Sequence, residues 1–489
     1  HSSSASGSQR GLTTTLAYDH DGRLSQRRTT LSSVTTPLTA RYSYDEAGRL
    51  SEKTLGSTPV SYAYNVRGWI GKIASAPFVS ELRYENPRYG GAPLYSGMVS
   101  QWTWKHGQQP ENDYVFSYDG VGRMVAAKHF VDGARTDGYT ERGIRYDANG
   151  NLLSISRTAG GAVSDSLRFT LGGDVLLDVS GTSTGVFEYD PSGNLVKDGL
   201  NRLEFSYNCL NLMQTVQTTV GASKAQFAYG SDGRKLSEKA GTGGFEYMGS
   251  LIYAYRGGTL SLAQAVTDEG TIQSAGVNYF IRDHLGSVRA VVDHTGKTVE
   301  RNDYYPFGGR HENSALSLSA TNRYKFGGKE SLEQVNLDML DFGARFYDPR
   351  IARWNTQDPL AEKNNITLER DGDGVMTGSD TLIYRLLFNL TENAIKYNRP
   401  GGSVRLSVTP EPEKLLIRVS DTGPGIPERF QRSIFQPFFR VDKSRSREYG
   451  GVGLGLSLVW EIVKLHGGTV CVENSSEAGT TVAVSLPLR

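Results

Sequence analysis

The sequence predicts two unlike folds in one chain of 489 residues, a mainly β, strand-rich N-terminal region and a C-terminal α/β domain. A degenerate tyrosine repeat in a chain with 57 glycines and 26 tyrosines indicates many tight turns between short strands. Beyond residue 363 the repeat stops, and helical periodicity begins together with a different use of glycine. The chain is long enough for two domains with separate cores.

The repeat reads aromatic, any residue, Tyr-Asp, two residues, Gly, Arg or Asn, and then an aliphatic residue. Its clearest copies are 17–24, 42–50, 116–124, 144–152 and 187–195, and its weaker copies are 62–70, 205–213 and 227–236. The aromatic residue and the tyrosine share one face of a strand, and Asp-x-x-Gly predicts a tight turn with a positive φ at glycine. Since one hairpin is marginal in water, we expect the copies to stack or pair side by side.

These copies resemble the YD repeats of RHS (rearrangement hotspot) proteins over about residues 11–363. Segments at 279–299, 304–310, 324–330 and 340–360 are similar to the RHS-associated core, which would occupy about 279–363. The resemblance implies a β-strand shell around a hollow interior over residues 1–363. It also implies an encapsulated C-terminal cargo as a possible partner of the shell.

Two groups in this region invite a catalytic interpretation. Asp283, His284 and Ser287 are close in sequence, but spacing alone supplies no base oriented by a third group, so we expect a strand and turn of the shell. Asp348 and Asp358 each precede a proline. In RHS proteins an aspartate of an Asp-Pro-x-Gly-Leu motif takes part in cleavage, and the stretch after Asp358 lacks Gly-Leu. We therefore expect no self-cleavage.

A helix is predicted over residues 381–398, with Ser379 and Asp380 able to cap its start. Its broad apolar face is formed by Ile383, Leu386, Leu387, Leu390, Ala394 and Tyr397. Phe388 and Ile395 form a second apolar flank. The polar stripe between the two flanks consists of Arg385, Asn389, Glu392, Asn393 and Lys396. Such a stripe is costly unless it is satisfied, for example by a cation and phosphates; the alternative is an ordinary solvated face.

Two glycine-rich segments follow this helix. The segment 414–427 is a predicted strand that ends at Asp421 before a Gly-Pro-Gly turn. Since no second Asp-Thr-Gly or Asp-Ser-Gly exists for an aspartic protease, we expect this carboxylate to accept a hydrogen bond from an exocyclic amine, such as that of adenine. The segment 447–468 is a glycine loop before a helix, whose bare backbone N–H groups suit phosphate. It does not follow the Walker pattern.

Together these elements closely resemble the catalytic ATP-binding domain of sensor histidine kinases, over about residues 364–489. The matched segments are NLTENAIKY (389–397), DTGPGIP (421–427), IFQPFFRVD (434–442), GGVGLGL (450–456) and AGTTVAVSLP (478–487). The resemblance implies an α/β sandwich of Bergerat type that binds ATP and Mg²⁺ between helices and under a mobile lid.

The resemblance also implies a role for each matched residue. Asn393 is the expected Mg²⁺ ligand, and the expected catalytic positions are Asn389, Glu392 and Lys396. The expected nucleotide-binding residues are Asp421, Gly423, Gly425, Tyr397, Arg440, Gly451, Gly453, Gly455, Leu456 and Thr480. Gyrase, MutL and Hsp90-type ATPases have a water-activating Glu where this chain has Asn389, so the site suits phosphoryl transfer better than hydrolysis.

Two functional hypotheses follow. The first is a histidine protein kinase-type phosphotransferase of two-component signalling, fused to a truncated RHS shell. None of the eight histidines has the sequence context of an acceptor, so the acceptor would be a dimerisation-domain histidine in trans, with a response regulator as a further partner. The alternative is a structural or toxin-delivery shell whose kinase-like tail is inert.

Composition excludes several other classes. Lys+Arg and Asp+Glu number 53 and 52, so long-range attraction to nucleic acid is not expected. No apolar run is long enough to span a membrane, and Cys209 and Cys471 make no disulfide framework. The chain starts at His1 without a signal core, so we expect a fragment or a processed piece. The kinase-like part implies the cytoplasm, and the RHS part implies secretion or the cell surface.

Overall fold

The computed structural model describes residues 11–312, 322–356, 367–399, 401–431, 433–436 and 455–488. These residues form two compact units, one built mainly from residues up to 356 and the other mainly from residues after 356. Within the described ranges, no helix is both long and apolar enough to cross a bilayer.

The first unit contains a sheet of 28 strands, in which antiparallel hairpins follow one another along the chain. The strands are β1 Leu12–Tyr18, β2 Leu24–Leu31, β3 Leu38–Tyr44, β4 Leu50–Leu55, β5 Thr58–Tyr64, β6 Ile70–Ala74, β7 Val79–Arg83, β8 Gln101–Lys105, β9 Asn112–Tyr118, β10 Met124–Val131, β11 Ala134–Arg135, β12 Glu141–Tyr146, β13 Leu152–Ala159, β14 Ala162–Gly172, β15 Val175–Gly181, β16 Gly185–Tyr189, β17 Leu195–Asp198, β18 Leu203–Tyr207, β19 Met213–Thr218, β20 Ser223–Tyr229, β21 Lys235–Ala240, β22 Gly243–Met248, β23 Leu251–Arg256, β24 Thr259–Thr267, β25 Gly270–Gln273, β26 Gly276–Arg282, β27 Val288–Asp293 and β28 Thr298–Arg301. A second, four-stranded sheet follows, with β29 Glu330–Ser331, β30 Leu340–Asp341, β31 Phe346–Asp348 and β32 Arg353–Trp354. The predicted strand-rich shell is confirmed.

Each of the five clearest copies of the repeat forms a turn that is held by its aspartate. In the first copy, Asp19 Oδ1 accepts the N–H groups of Asp21 and Arg23 at 3.0 and 2.8 Å, and Oδ2 accepts Arg23 Nε at 2.8 Å. Gly22 has the expected positive φ of 75°. Four more aspartates accept the backbone N–H of the residue four positions later on Oδ1 and the side chain of that residue on Oδ2. They are Asp45, Asp119, Asp147 and Asp190. The repeat therefore encodes local bonds that close each hairpin.

In several copies the tyrosine of the repeat links its hairpin to the preceding one. The Tyr44 hydroxyl donates to the carbonyl oxygen of Leu24 at 2.8 Å, where Leu24 is the aliphatic residue that follows the previous turn. The Arg23 guanidinium lies 4.9 Å from the centroid of the Tyr44 ring. Equivalent hydroxyl–carbonyl bonds of 2.8–2.9 Å join Tyr64 to Leu50, Tyr84 to Ile70, Tyr146 to Met124 and Tyr207 to Leu195.

The group Asp283, His284 and Ser287 belongs to one more turn of this kind. Asp283 Oδ1 accepts the N–H groups of Leu285 and Ser287, each at 3.0 Å. Ser287 Oγ accepts the N–H of Gly327 at 3.0 Å, and the His284 ring packs edge-on against Trp102. The prediction that these residues form a strand and turn is confirmed.

Asp348 of β31 is buried beside a second carboxyl group, that of Asp198 in β17. Asn201 Nδ2 donates to Oδ2 of Asp198 at 2.7 Å and to Oδ2 of Asp348 at 3.2 Å. Asp348 is only 6% exposed. Burial, and then the Asp198 carboxylate, raise the pKa of Asp348 to about 7.

The second unit is a two-layer α/β sandwich. Its sheet has the order β33-β34-β35-β37-β36, with β33 Thr367–Asp371, β34 Ser403–Pro410, β35 Lys414–Asp421, β36 Thr469–Ser476 and β37 Gly479–Pro487. Helices α1 (Asp380–Lys396) and α2 (Gly455–Leu465) pack on this sheet. The core side chains include Leu386, Leu390 and Ala394 of α1, Val459, Ile462 and Val463 of α2, and Val404, Ile417, Val419, Val484 and Leu486 of the sheet. This fold is the α/β sandwich that was predicted.

We expect Tyr64→Phe to lower the melting temperature of the shell by about 1–3 °C. The change removes one hydroxyl–carbonyl bond between hairpins, worth about 1 kcal/mol. Tyr229→Phe is the matched control, because the Tyr229 hydroxyl is buried without a partner among the described residues. The control should melt at or above the wild-type temperature in scanning calorimetry. Equal losses in both variants would contradict the proposed link.

We expect Asp348→Asn to change the pH dependence of shell stability. The folded pKa of about 7 lies above the usual value of 3.8. The stabilisation from the neutral carboxyl group is therefore complete below about pH 4 and is lost as the pH rises through 7. We compare the melting temperature of the variant minus that of the wild type at each pH. This difference should be at least about 2 °C larger at pH 8 than at pH 5. The control is Asp338→Asn, which changes an exposed carboxyl group. The same difference at both pH values would contradict the expectation.

Candidate functional site

Two asparagines of α1 face the start of α2. A methyl group added to Gly455, the first residue of α2, would lie 2.9 Å from Asn389 Oδ1 and 3.5 Å from Asn393 Nδ2. Both amide nitrogens donate to the carbonyl oxygen four residues earlier, Asn389 to Arg385 and Asn393 to Asn389, at 2.7 Å. The Oδ1 atoms are therefore the amide atoms left to bind a cation, and oxygen is the ligand that Mg²⁺ prefers. The two amide oxygens are of the ligand type that fits a Mg²⁺ ion.

The remaining surface of α1 departs from the predicted pattern. Phe388 is 52% exposed and stacks on Tyr384, and Tyr397 is 58% exposed. The prediction of a second apolar flank is wrong for Phe388, and Tyr397 lies at the exposed edge of the predicted apolar face. The physical reason is that the sheet covers the side of the helix that carries Leu386 and Leu390.

The other polar side chains of α1 differ in burial. Glu392 is exposed, whereas Lys396 is half-buried, with Nζ 5.7 Å from the centroid of the Tyr397 ring. The catalytic roles of Asn389, Glu392 and Lys396 stay predictions.

Asp421 lies at the end of β35 and is half-buried. Its Oδ1 accepts the N–H of Gly423 at 2.8 Å and the N–H of Thr480, its cross-strand partner in β37, at 3.3 Å. Burial raises the pKa of the Asp421 carboxyl group, and these two N–H donors oppose that rise. Oδ2 takes part in neither bond, so it is the atom that suits an amino group of a ligand.

The two glycines after Asp421 allow close packing of the turn. A Cβ atom at Gly423 would lie 2.7 Å from the carbonyl oxygen of Tyr397, at the end of α1. Gly425 has a φ of 78°, and a Cβ atom there would lie 2.1 Å from the carbonyl oxygen of Ser476. The turn is thus wedged between the end of α1 and the β36–β37 hairpin.

The other predicted site residues fall into two groups. Thr480 is buried, with Oγ1 3.0 Å from Ser475 Oγ, and Leu456 packs against the core of the sandwich. The second group, Arg440, Gly451 and Gly453, lies outside the described residues.

Sequence reasoning missed Arg399 and Ser475. Arg399 Nη2 donates to the carbonyl oxygen of Gly423 at 3.0 Å and also to that of Glu477. Ser475 Oγ accepts the N–H of Ile426 at 2.7 Å. Neither residue belongs to a motif, and their partners are distant in sequence, so no local signal identified them.

We expect Gly425→Ala to destabilise the second unit more than Gly401→Ala does. The two glycines have almost the same φ, 78° and 75°, but a Cβ atom at Gly401 meets nothing within 4 Å. Gly401→Ala should cost about 1–2 kcal/mol from backbone strain alone, and Gly425→Ala should cost more than about 3 kcal/mol because of the Ser476 clash. Hydrogen exchange of peptides from β34 and β35 measures both costs. Equal costs would contradict the expectation, because they would show that the backbone around Ser476 moves and relieves the clash.

Individual relatives match separate parts of the chain. It is 45% identical over 103 residues to the circadian input-output histidine kinase CikA of Synechococcus elongatus, covering 21% of this chain and 14% of CikA. It is 38% identical over 132 residues to the sensor histidine kinase RppB of Synechocystis, covering 26% of this chain and 29% of RppB. The crystal structure of TcdB2-TccC3 without its hypervariable C-terminal region is similar in fold, with a TM-score of 0.54 and 17% identity over 71% of this chain and 19% of that chain. The chain thus spans less than a third of each of these relatives.

Two family models match the chain. The model for the histidine kinase-, DNA gyrase B-, and HSP90-like ATPases matches residues 378–489. The teneurin YD-shell model matches residues 95–372, which is more than half of the chain. The repeated hairpins and the C-terminal sandwich agree with these two matches: the chain belongs to the teneurin YD-shell family and carries a histidine kinase-like ATPase domain after the shell.

Proposed function

We propose that residues 364–489 form a histidine kinase-type catalytic domain that binds Mg-ATP, and that residues 1–363 form its YD shell. One observation carries this proposal. Asn389 and Asn393 of α1 face the start of α2, and the turn after Asp421 contacts the residue that follows α1, Tyr397. The C-terminal half of α1 therefore carries the amide oxygens suited to a cation, and the turn that follows the carboxylate suited to a base amine contacts the end of the same helix.

Each residue has a distinct role in this proposal. Asn393 holds Mg²⁺ through its amide oxygen and Asn389 supports that site. Asp421 Oδ2 accepts a hydrogen bond from the adenine amino group. Lys396 and Arg440 approach the phosphates, while bare backbone N–H groups of the glycine loop and of the start of α2 bind their oxygens. When bound, Mg²⁺ would neutralise phosphate charge, which together with positioning is most of what phosphoryl transfer requires.

The chemistry proposed is transfer to a histidine rather than hydrolysis. Asn389 stands where a water-activating carboxylate would be needed, and an amide is not a general base. The similar proteins CikA and RppB are named as histidine kinases. We therefore propose that the acceptor is a histidine supplied in trans by a dimerisation domain, and that a response regulator is a further partner.

A second candidate is a structural or toxin-delivery shell with an inert kinase-like tail and an encapsulated cargo. The lengths of the matches favour this candidate, because the shell family model matches residues 95–372 whereas CikA aligns with only 21% of the chain.

Calorimetry of the full chain with Mg-ATP tests the first proposal. We expect a micromolar Kd for the wild type and at least about tenfold weaker binding for Asn393→Ala and Asp421→Ala, since each removes a charge-assisted contact. The matched controls Asn474→Ala and Asp371→Ala change exposed residues of the same unit and should bind like wild type. Absence of binding by the wild type would contradict the proposal and favour the inert tail.

A further inference from the structure

Arg399 joins the two loops that enclose Asp421. Its Nη2 group donates to the carbonyl oxygen of Gly423, in the turn after β35, at 3.0 Å. The same group donates to the carbonyl oxygen of Glu477, in the turn between β36 and β37. A guanidinium group suits this task because its N–H donors are held in a rigid plane and are always charged.

Two backbone N–H groups close to these turns bind the Asp421 carboxylate. The Gly423 N–H belongs to the turn after β35 and the Thr480 N–H to β37, three residues after Glu477, and both reach Oδ1. A further bond joins the Ile426 N–H, in the turn after β35, to Ser475 Oγ at the end of β36, at 2.7 Å. Rotation of the carboxylate breaks both bonds to Oδ1, and movement of the turn after β35 away from the β36–β37 hairpin strains them.

The position of Oδ2 is therefore tied to Arg399. A carboxylate oxygen that is held in place accepts a hydrogen bond from the 6-amino group of adenine, whereas the 6-oxo group of guanine offers only a second acceptor and is repelled. A carboxylate that turns freely discriminates less, because it can swing away from the oxo group.

We infer that Arg399 is a positioning residue for purine selection, which holds the Gly423 and Glu477 loops together and so aims Asp421 Oδ2 at an adenine amino group. This inference rests on the proposed nucleotide site and adds a specificity determinant to it. A purely structural Arg399 would affect the stability of the unit but would weaken ATP and GTP binding equally.

The first experiment needs no nucleotide. In the full chain, hydrogen exchange followed by mass spectrometry should show roughly tenfold faster exchange of peptides spanning residues 421–427 and 477–482 in Arg399→Ala, the effect of losing a charge-assisted hydrogen bond. Arg399→Lys keeps a cationic donor and should recover most of the protection. The control is Arg418→Ala, which breaks an exposed ion pair with Glu473 in the same sheet. Unchanged exchange in Arg399→Ala would overturn the inference.

The second experiment measures selection with Mg-ATP and Mg-GTP by calorimetry. The ratio of ATP to GTP affinity should fall roughly tenfold in Arg399→Ala, should stay within about threefold of wild type in Arg399→Lys, and should not change in Arg418→Ala. Equal weakening of both nucleotides would overturn the role in selection and leave a structural clamp. If the wild type binds no nucleotide, the proposed function and the role in selection both fail, while the exchange result still decides whether Arg399 clamps the loops.

Discussion

In the five clearest repeats of the shell, an aspartate carboxylate is bound to the backbone of the turn that it begins. Asp19 receives two N–H groups on Oδ1 and the side chain of Arg23 on Oδ2, so neither oxygen is left without a partner. The carboxylate thus selects one turn geometry and one direction for the arginine. Because 28 strands follow one another largely as hairpins, the register of the sheet depends on turns of this kind.

The links between hairpins depend on these turns as well. In several copies the turn places an aliphatic residue at the start of the return strand, and the carbonyl oxygen of that residue accepts a later tyrosine hydroxyl, as Leu24 does from Tyr44. The arginine held by the carboxylate lies over the same ring. One misplaced carboxylate would therefore weaken both its own hairpin and its contact with the next. This dependence accounts for a repeat that keeps tyrosine, aspartate and glycine while its spacing varies.

Sequence reasoning succeeded where bonds are local. The Asp-x-x-Gly turns were predictable because all their partners lie within four residues, as at Asp45 and Arg49. Periodicity alone did not show which flank of α1 the sheet would cover, so the expectation for Phe388 was wrong. Arg399 was missed because its acceptors lie 24 and 78 residues away. The histidine kinase-like ATPase domain was predictable from its motifs, while the nucleotide site and the roles of its residues stay predictions.

Both units contain an aspartate carboxylate that accepts backbone N–H groups near a turn, but its second oxygen differs in its contacts. Asp421, like Asp19, accepts a backbone N–H from the residue two positions on, but its second donor is the cross-strand Thr480 rather than a local residue. Both N–H groups converge on Oδ1, and no arginine or asparagine four positions on binds Oδ2, since that position is Gly425. In the shell the second oxygen is consumed by the chain itself, which makes the turn rigid and closed to ligands. At Asp421 both N–H groups bind Oδ1 and neither binds Oδ2, and the proposed clamp by Arg399 would keep the carboxylate in one orientation. A glycine in the place of the repeat's arginine or asparagine is therefore the local difference between a carboxylate that shapes the fold and one that is suited to recognising a ligand.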